Sequence, residues 1–571
     1  MTTASTAAGR TQTSGPETAD VVVVGAGFSG LYALYRLRGL NLKVVCFEAG
    51  DGVGGTWYWN RYPGARVDIE SMQYSYSFDD DLQQEWRWPE YFSPQADLED
   101  YANHVADRFG LRDLIRFNAR VNRLRYDERA GRWDVSTERG DRVIARYVIA
   151  ASGALDATNI PDFPGLESFR GEWHHTSQWP KEGVNFEGKR VGLIGTGSTG
   201  DQATTAIGKT AGHLYVFQRT PAYSLPANNR PLPADYELDW KSHYAERRSV
   251  MHANFALGYL PVQQHGSVFD YTPEARTQIL EQAWQQRNGL LFLRTFTDTM
   301  LSLEANEIVA EFIRGKIREI VKDPETAELL CPKTYPVGTK RICMDTGYFE
   351  TFNNPNVTLV DVKSNPITEI TPSGLRTTAG EFDLDILILA TGFDAVTGSL
   401  TRMNITGVGG VDLREKWAER PTNFLGYMVA GFPNLFMIHG PGSPGVLAQM
   451  ITGGEKQVDW VTGVITDLDR NGYASIDTTQ EAEQDWGAEM AEMAAKTLYQ
   501  HANSWYVGAN IPGKPRYFMI YIGGFDQYQK RCDEQVGKGY EGFVLARNEV
   551  RAGDEVPTGD EVPAGDEQRP A

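Results

Sequence analysis

Cysteine is scarce. The 571-residue chain has four, Cys46, Cys331, Cys343 and Cys532, none at disulfide-framework or metal-ligand spacing. That excludes a stapled secreted scaffold and a redox-active Cys pair, and it points to a reduced, cytoplasmic setting. Long apolar runs are missing too. No stretch reaches the roughly 20 residues of a membrane span, and Met1 to Asp20 is Thr/Ala/Ser-rich without a signal-peptide core. Cations are outnumbered, 55 Lys plus Arg against 75 Asp plus Glu, for a formal net charge of −20. A chain this acidic is a poor binder of phosphate backbones. The nine His never fall at HExxH spacing and no Ser stands in GxSxG, so neither a zinc site nor an esterase elbow is expected. What the chain has in excess is glycine, 58 residues, with 13 Trp and 26 Tyr. These suit close backbone approach to large planar cofactors in a protein of more than one core.

Both ends, 1–19 and 547–571, are expected to be disordered; the second carries a short acidic repeat, AGDEVP-TGDEVP-AGDE. Between them strand-like and helix-like segments alternate, the pattern of an α/β fold wound on parallel sheets. Val21–Val24 leads into Gly25-Ala26-Gly27-Phe28-Ser29-Gly30 and a helical stretch, and the next strand ends at Glu48. A second unit runs from Arg190 through Gly195-Thr196-Gly197-Ser198-Thr199-Gly200 to a strand that ends before Arg219 and Thr220. The fold expected is thus α/β with two dinucleotide-binding Rossmann-type domains and a helical insertion. Residues 20–150 and 383–546 are assigned to the first, discontinuous domain, and 151–230 and 331–382 to the second. The insertion, 231–330, carries one apolar helical face of Ile308, Val309, Phe312, Ile313, Ile317, Ile320 and Val321.

A glycine turn between strand and helix lets backbone N–H groups approach a pyrophosphate, whose charge the helix N-terminus stabilises. The residue closing the next strand selects the ribose. Glu48, eighteen positions beyond Gly30, accepts from ribose hydroxyls and repels a 2′-phosphate, which suits FAD or NAD. Arg219, nineteen beyond Gly200, pairs with a 2′-phosphate, which suits NADPH. FAD followed by NADPH makes a flavin-dependent oxidoreductase.

Two longer motifs carry a family resemblance. Phe169-Arg170-Gly171-Glu172-Trp173-His174-His175-Thr176-Ser177-Gln178-Trp179 fits FxGxxxHxxxW, and Gly54-Gly55-Thr56-Trp57 through Tyr62-Pro63-Gly64 to Asp68 fits a second. From about residue 20 to 545 the sequence resembles the type I Baeyer–Villiger monooxygenases. The resemblance implies that NADPH reduces FAD and that O2 then gives a flavin C4a-peroxide. This attacks a ketone to form a Criegee-type adduct, and an ester or lactone follows. It places Arg341 at the family's active-site arginine, with Asp68 holding it beside the flavin. An arginine suits the task, because it keeps its charge when buried and can stabilise both a peroxide and a tetrahedral oxyanion. Flavin-domain contacts are implied for Phe28, Ser29, Gly55, Thr56, Trp57, Tyr74, Val121 and Met450. Lys340 is implied as a 2′-phosphate partner beside Arg219 and Thr220, and Trp505 as a cover over the nicotinamide. The loop Gly440 to Met450 and Ala154-Leu155 are expected to line the ketone pocket.

The fingerprint precedes the second glycine turn and reads as a linker. His175 within it could be a base or a hydrogen-bonded hinge; the resemblance favours the hinge. Oxygenation of amines or sulfides, and a flavoprotein that binds its nucleotides without oxygenating a substrate, are the alternative functions. The partners expected are a small ketone and O2, without nucleic acid, membrane or obligatory protein.

Overall fold

Two sheets organise the chain, whose computed structural model describes residues 16–253, 259–286 and 289–547. The N-terminus to residue 15 and the acidic repeats lie outside the described residues. The first strand, Glu17–Val24, starts within the segment expected to be disordered, because Glu17 to Ala19 pair with Val143 to Ala145. At the other end Arg547 closes the strand Phe543–Arg547, paired with Tyr473–Thr478, and does not open the tail.

The eight-stranded first sheet runs in space Ile405–Thr406, Val121–Asp127, Arg132–Thr137, Arg142–Ala150, Glu17–Val24, Val44–Phe47, Ile115–Arg116, with Leu435–Met437 also on Arg142–Ala150. Its centre is parallel and covered on both faces. Hence Val21 to Val24 form an unbroken β-branched run, all buried.

The second sheet has five parallel strands in the order Val357–Asp361, His213–Gln218, Arg190–Ile194, Ile386–Leu389, Glu172–His175. Two expectations change here. The strand Ile386–Leu389 lies between Arg190–Ile194 and Glu172–His175, so the chain returns to the first sheet only after Leu389, not at 383. The fingerprint is likewise more than a linker: Glu172–His175 is the edge strand of this sheet. A Cβ at Gly171 would stand 2.4 Å from the carbonyl of Asp385, which explains the glycine at that position.

Both sheets follow one plan. A glycine turn follows a central strand, and the neighbouring strand ends at Ala150 or Leu389, where the chain crosses between sheets. The two crossings run together. Thr158 bridges Phe393, and the amides of Asn159, Asp394 and Val396 bond the carbonyls of Gly392, Ala157 and Ala154 at 2.8–3.0 Å. Between Pro226 and Cys343 come the helices Ala234–Ser242, Tyr244–Ala253, Pro273–Gln285, Leu303–Ile320 and Pro324–Leu330. Val309, Ile313 and Ile317 join the same apolar core as Val21 and Leu193. Among the described residues no helix is long and apolar enough to cross a membrane.

Candidate active site

Several helices open on side-chain caps, such as Thr272, Ser302 and Thr479. The helices Phe28–Arg38 and Ser198–Ile207 instead open on Gly27 and Gly197, with no side-chain cap. Their first N–H groups stay open to an anion. A Cβ on Gly30 would lie 2.0 Å from the Gly25 carbonyl, and one on Gly200 2.1 Å from that of Gly195; these glycines seat each helix against its turn. Gly197 differs: a Cβ there meets nothing within 4 Å. No neighbour in the chain requires that glycine, and the space it leaves is a cradle that a pyrophosphate can occupy.

Around the first turn, Gly55 packs so closely on Gly27 that its Cβ would lie 2.8 Å from the Gly27 Cα. This brings Thr56 and Trp57, in the short helix Thr56–Trp59, to the glycine turn. Trp57 donates its indole N–H to the Tyr74 hydroxyl (3.1 Å), and Phe28 meets Tyr74 edge-on. Ser29 lies against Gly454, four residues after Met450 opens the helix Met450–Arg470. Glu48 is buried, and its two oxygens accept from the amides of Ala26 and Gly50 at 2.7 Å each. Burial raises its pKa against those two bonds. A carboxylate oxygen has further lone pairs for ribose hydroxyls, so the residue fits an unphosphorylated ribose. Val121 starts a strand beside it and packs with Val24, Phe47 and Ala119.

At the second turn, Thr196 donates to the carbonyl of Thr220 (2.9 Å), and Ser198 to the sulfur of Cys343 (3.7 Å). The Lys340 ammonium lies 4.6 Å from the centre of the Tyr335 ring. Burial first, then the neighbouring charge of Arg219, holds its pKa below the usual lysine range. Neither cation makes an ion pair among the described residues. Two neighbouring like charges with no ion-pair partner among the described residues fit a bound dianion such as a 2′-phosphate.

Arg341 and Asp68 come together from positions 273 apart. Nε and Nη2 of Arg341 each donate to one oxygen of Asp68 at 2.8 Å, and Nη1 donates to the carbonyl of Val446 at 2.8 Å. The side chains are 17% and 20% exposed. Burial opposes the guanidinium's charge, but Asp68 prevails and holds its pKa above the usual arginine range. Tyr506 lies beside it, its hydroxyl pushed up to about 12 by burial against the opposing pull of Arg341. Val446 and Ala154 share an apolar cluster with Tyr506, Val507, Phe518 and Ile520, against which Leu447, Met450 and Trp505 pack. Leu155 and Trp505 both pack against a small neighbouring cluster of Ala395, Val396 and Met519.

His175 is buried, with Nδ1 2.7 Å from the Ser177 hydroxyl and accepting from the Ser177 amide. Burial lowers its pKa, opposed by the backbone of Asn159 and Gly392 in the two crossings. The imidazole is thus a buried, hydrogen-bonded group beside the two crossings. Trp179 packs on His174 and Phe186. Two groups at the Arg341 site carry no sequence signal of their own: the Val446 carbonyl has no side-chain letter, and Tyr506 is marked only by adjacency to Trp505.

The profile of the flavin-binding monooxygenase-like family matches residues 18–240. A Baeyer–Villiger monooxygenase of Pseudooceanicola batsensis is 42% identical over 534 residues, 92% of this chain and 96% of that one. A phenazine N-monooxygenase of Lysobacter antibioticus is 40% identical, over 92% of this chain and 97% of that one. Among solved structures, an oxidised steroid monooxygenase bound to NADP superposes with a TM-score of 0.89 at 46% identity, covering 93% of this chain and all (100%) of that one. A complex of OTEMO with FAD and NADP gives 0.89 at 38% identity, with the same coverage. The chain belongs to the flavin-binding monooxygenase-like family, in its Baeyer–Villiger branch.

Proposed function

We propose that this protein is an NADPH- and FAD-dependent Baeyer–Villiger monooxygenase whose reacting oxygen is stabilised by Arg341, fixed by Asp68. The overall reaction is ketone plus O2 plus NADPH plus H+ giving ester or lactone, NADP+ and water. The observation that carries the residue roles is the two-point Arg341–Asp68 pair at the edge of an apolar cluster. A guanidinium has five N–H groups, and three are engaged by Asp68 and Val446. Tyr506 takes up a further contact, so the cation keeps at least one N–H for a developing oxyanion, and it does not release its proton. Bound FAD supplies the oxygen activation. The first glycine turn, Glu48, Trp57 and Tyr74 would hold it; the second turn, Arg219, Thr220 and Lys340 would hold NADPH, with Trp505 over the nicotinamide. Ala154, Val446, Leu447 and Phe518 offer the ketone apolar contact and exclude water, which strengthens every charge interaction at Arg341.

The test is to incubate the purified protein with NADPH and a panel of cyclic, linear, aryl and steroid ketones, plus an N-heterocycle, and to identify products by mass. Oxygen inserted beside a carbonyl is expected; an N-oxide as the sole product would transfer the assignment to N-oxygenation. In parallel, Arg341→Ala should still permit slow reduction of the flavin by NADPH yet yield no ester. Ester from that variant would remove Arg341 from the chemistry.

A further inference from the structure

The segment between Asp68 and Ser77 carries two residues assigned to the site, Asp68 and Tyr74, yet its turn from Ser71 to Ser77 has no strand or helix to fix it. Its internal bonds are few: the amides of Gln73 and Tyr74 both donate to the Glu70 carbonyl (2.9 and 3.0 Å), and the Ser75 hydroxyl donates to the Met72 carbonyl (3.3 Å). What holds it comes from elsewhere. Arg248, on the insertion helix Tyr244–Ala253 and 5% exposed, spreads its guanidinium over the turn. Nη1 donates to the Gln73 carbonyl at 2.9 Å, and Nη2 reaches Ser75 Oγ at 2.7 Å and the carbonyls of Met72 and Tyr76 at 3.4 Å. Nε meets Gln83 Oε1 at 3.4 Å.

Among the described residues Arg248 has no carboxylate within ion-pair distance. A buried cation with no touching counter-ion opposes folding, so an apolar side chain would serve better if filling space were its only task. What arginine adds is a planar fork that fixes several acceptors in one orientation. Downstream, Tyr76 donates its hydroxyl to the carbonyl of Phe28 in the first glycine turn, and Tyr74 receives the Trp57 indole. The same insertion ties the turn a second time, where the Leu260 amide donates to Gln73 Oε1 (3.0 Å).

We propose that Arg248 is a positioning residue: through it the helical insertion sets the turn that orients Tyr74, Tyr76 and, upstream, Asp68 with Arg341. This rests on the proposed function. Its loss should therefore divert NADPH oxidation from ketone to hydrogen peroxide, without preventing FAD from binding.

The experiment compares wild type with Arg248→Gln, Arg248→Lys and Ser75→Ala. FAD content and the KM for NADPH should stay within about twofold, while the KM for ketone rises about tenfold and peroxide becomes the main product of NADPH oxidation. Lysine, a single point of charge, should rescue only part of the coupling. Visible circular dichroism of the bound flavin should change, and the amides of residues 70–77 should exchange faster in the FAD-free variants. A folded, FAD-loaded Arg248→Gln with wild-type coupling and flavin dichroism overturns the proposal. If that variant does not fold, Ser75→Ala decides: it removes the 2.7 Å contact and the weaker 3.3 Å bond to Met72 but leaves the cation its other acceptors, and unchanged coupling there is equally fatal. A wild-type enzyme that makes no ester would count against the proposed function alone, since hydrogen exchange still reads the clamp.

Discussion

Gly197 and Gly200 stand three positions apart in one turn and are glycine for different reasons. A Cβ at 200 would overlap the Gly195 carbonyl at 2.1 Å, whereas one at 197 meets open space, and the backbone there (φ −79°, ψ −172°) is extended and open to any residue. Gly200→Ala should therefore compromise folding. Gly197→Ala should melt within about 2 °C of wild type while the KM for NADPH rises about tenfold or more. A large stability loss in Gly197→Ala would mean that the cradle is a packing feature. The cations behind that turn allow a second test. Arg219→Ala should raise the KM for NADPH by about tenfold to a hundredfold and leave that for NADH nearly unchanged, since only the former carries the 2′-phosphate. Equal effects on both would unseat Arg219 as its partner.

At the scale of elements, the helix Met450–Arg470 binds the flavin-side turn from below. Glu455 is buried on it and accepts from the Ser77 amide and hydroxyl, both at 2.8 Å. Burial raises its pKa to about 7 from 4.5, against the two Ser77 bonds and Arg248. The unfolded chain therefore loses this proton near 4.5 and the folded protein near 7, so unfolding between those values releases a proton. Stability from this group is complete below about pH 4.5 and drains away as pH rises through 7, by up to about 3 kcal/mol. Glu455→Gln mimics the protonated form. Its melting temperature should match wild type near about pH 5 and exceed it near about pH 8.5; a difference that does not change with pH would refute the account. The same scale shows what the sequence could disclose. Strand, glycine turn and helix were legible twice because the signal is local: β-branched run, glycine spacing, then helical period. The edge strand Glu172–His175 was not, since Glu172 and Trp173 are exposed and its pairing is with residues more than 200 positions away. Nor could Ile386–Leu389 reveal which sheet it joins, because an apolar parallel strand suits either. Arg341 and Asp68 were reached by motif resemblance. Arg248 was missed because its partners are backbone carbonyls, which have no sequence letter.

For the whole molecule, the question is how the second sheet's cofactor communicates with the first. The two crossings form a single strap, and Val396 within it adopts φ +69°, a strained conformation for a β-branched residue. Strain of this kind persists only where surroundings over-determine it. Here the C-terminal segment does so: Lys514 pairs with Asp394 at 2.6 Å and donates to the Ala395 carbonyl at 2.9 Å, while Asn510 donates to the Phe393 carbonyl at 2.7 Å. That segment also carries Trp505, which packs against the small cluster of Ala395, Val396 and Met519. The strap and the proposed nicotinamide cover are thus one mechanical unit. Lys514→Met should cost about 1–2 kcal/mol, between the exposed and buried limits for an ion pair, and leave FAD content unchanged. It should also weaken NADP+ binding by about fivefold or more, the scale of a modest coupling energy, read by equilibrium titration. If the variant melts earlier yet binds NADP+ as wild type does, Lys514 braces only the strap. If affinity falls with stability, the strained crossing supports the NADP+ site as well as the strap itself.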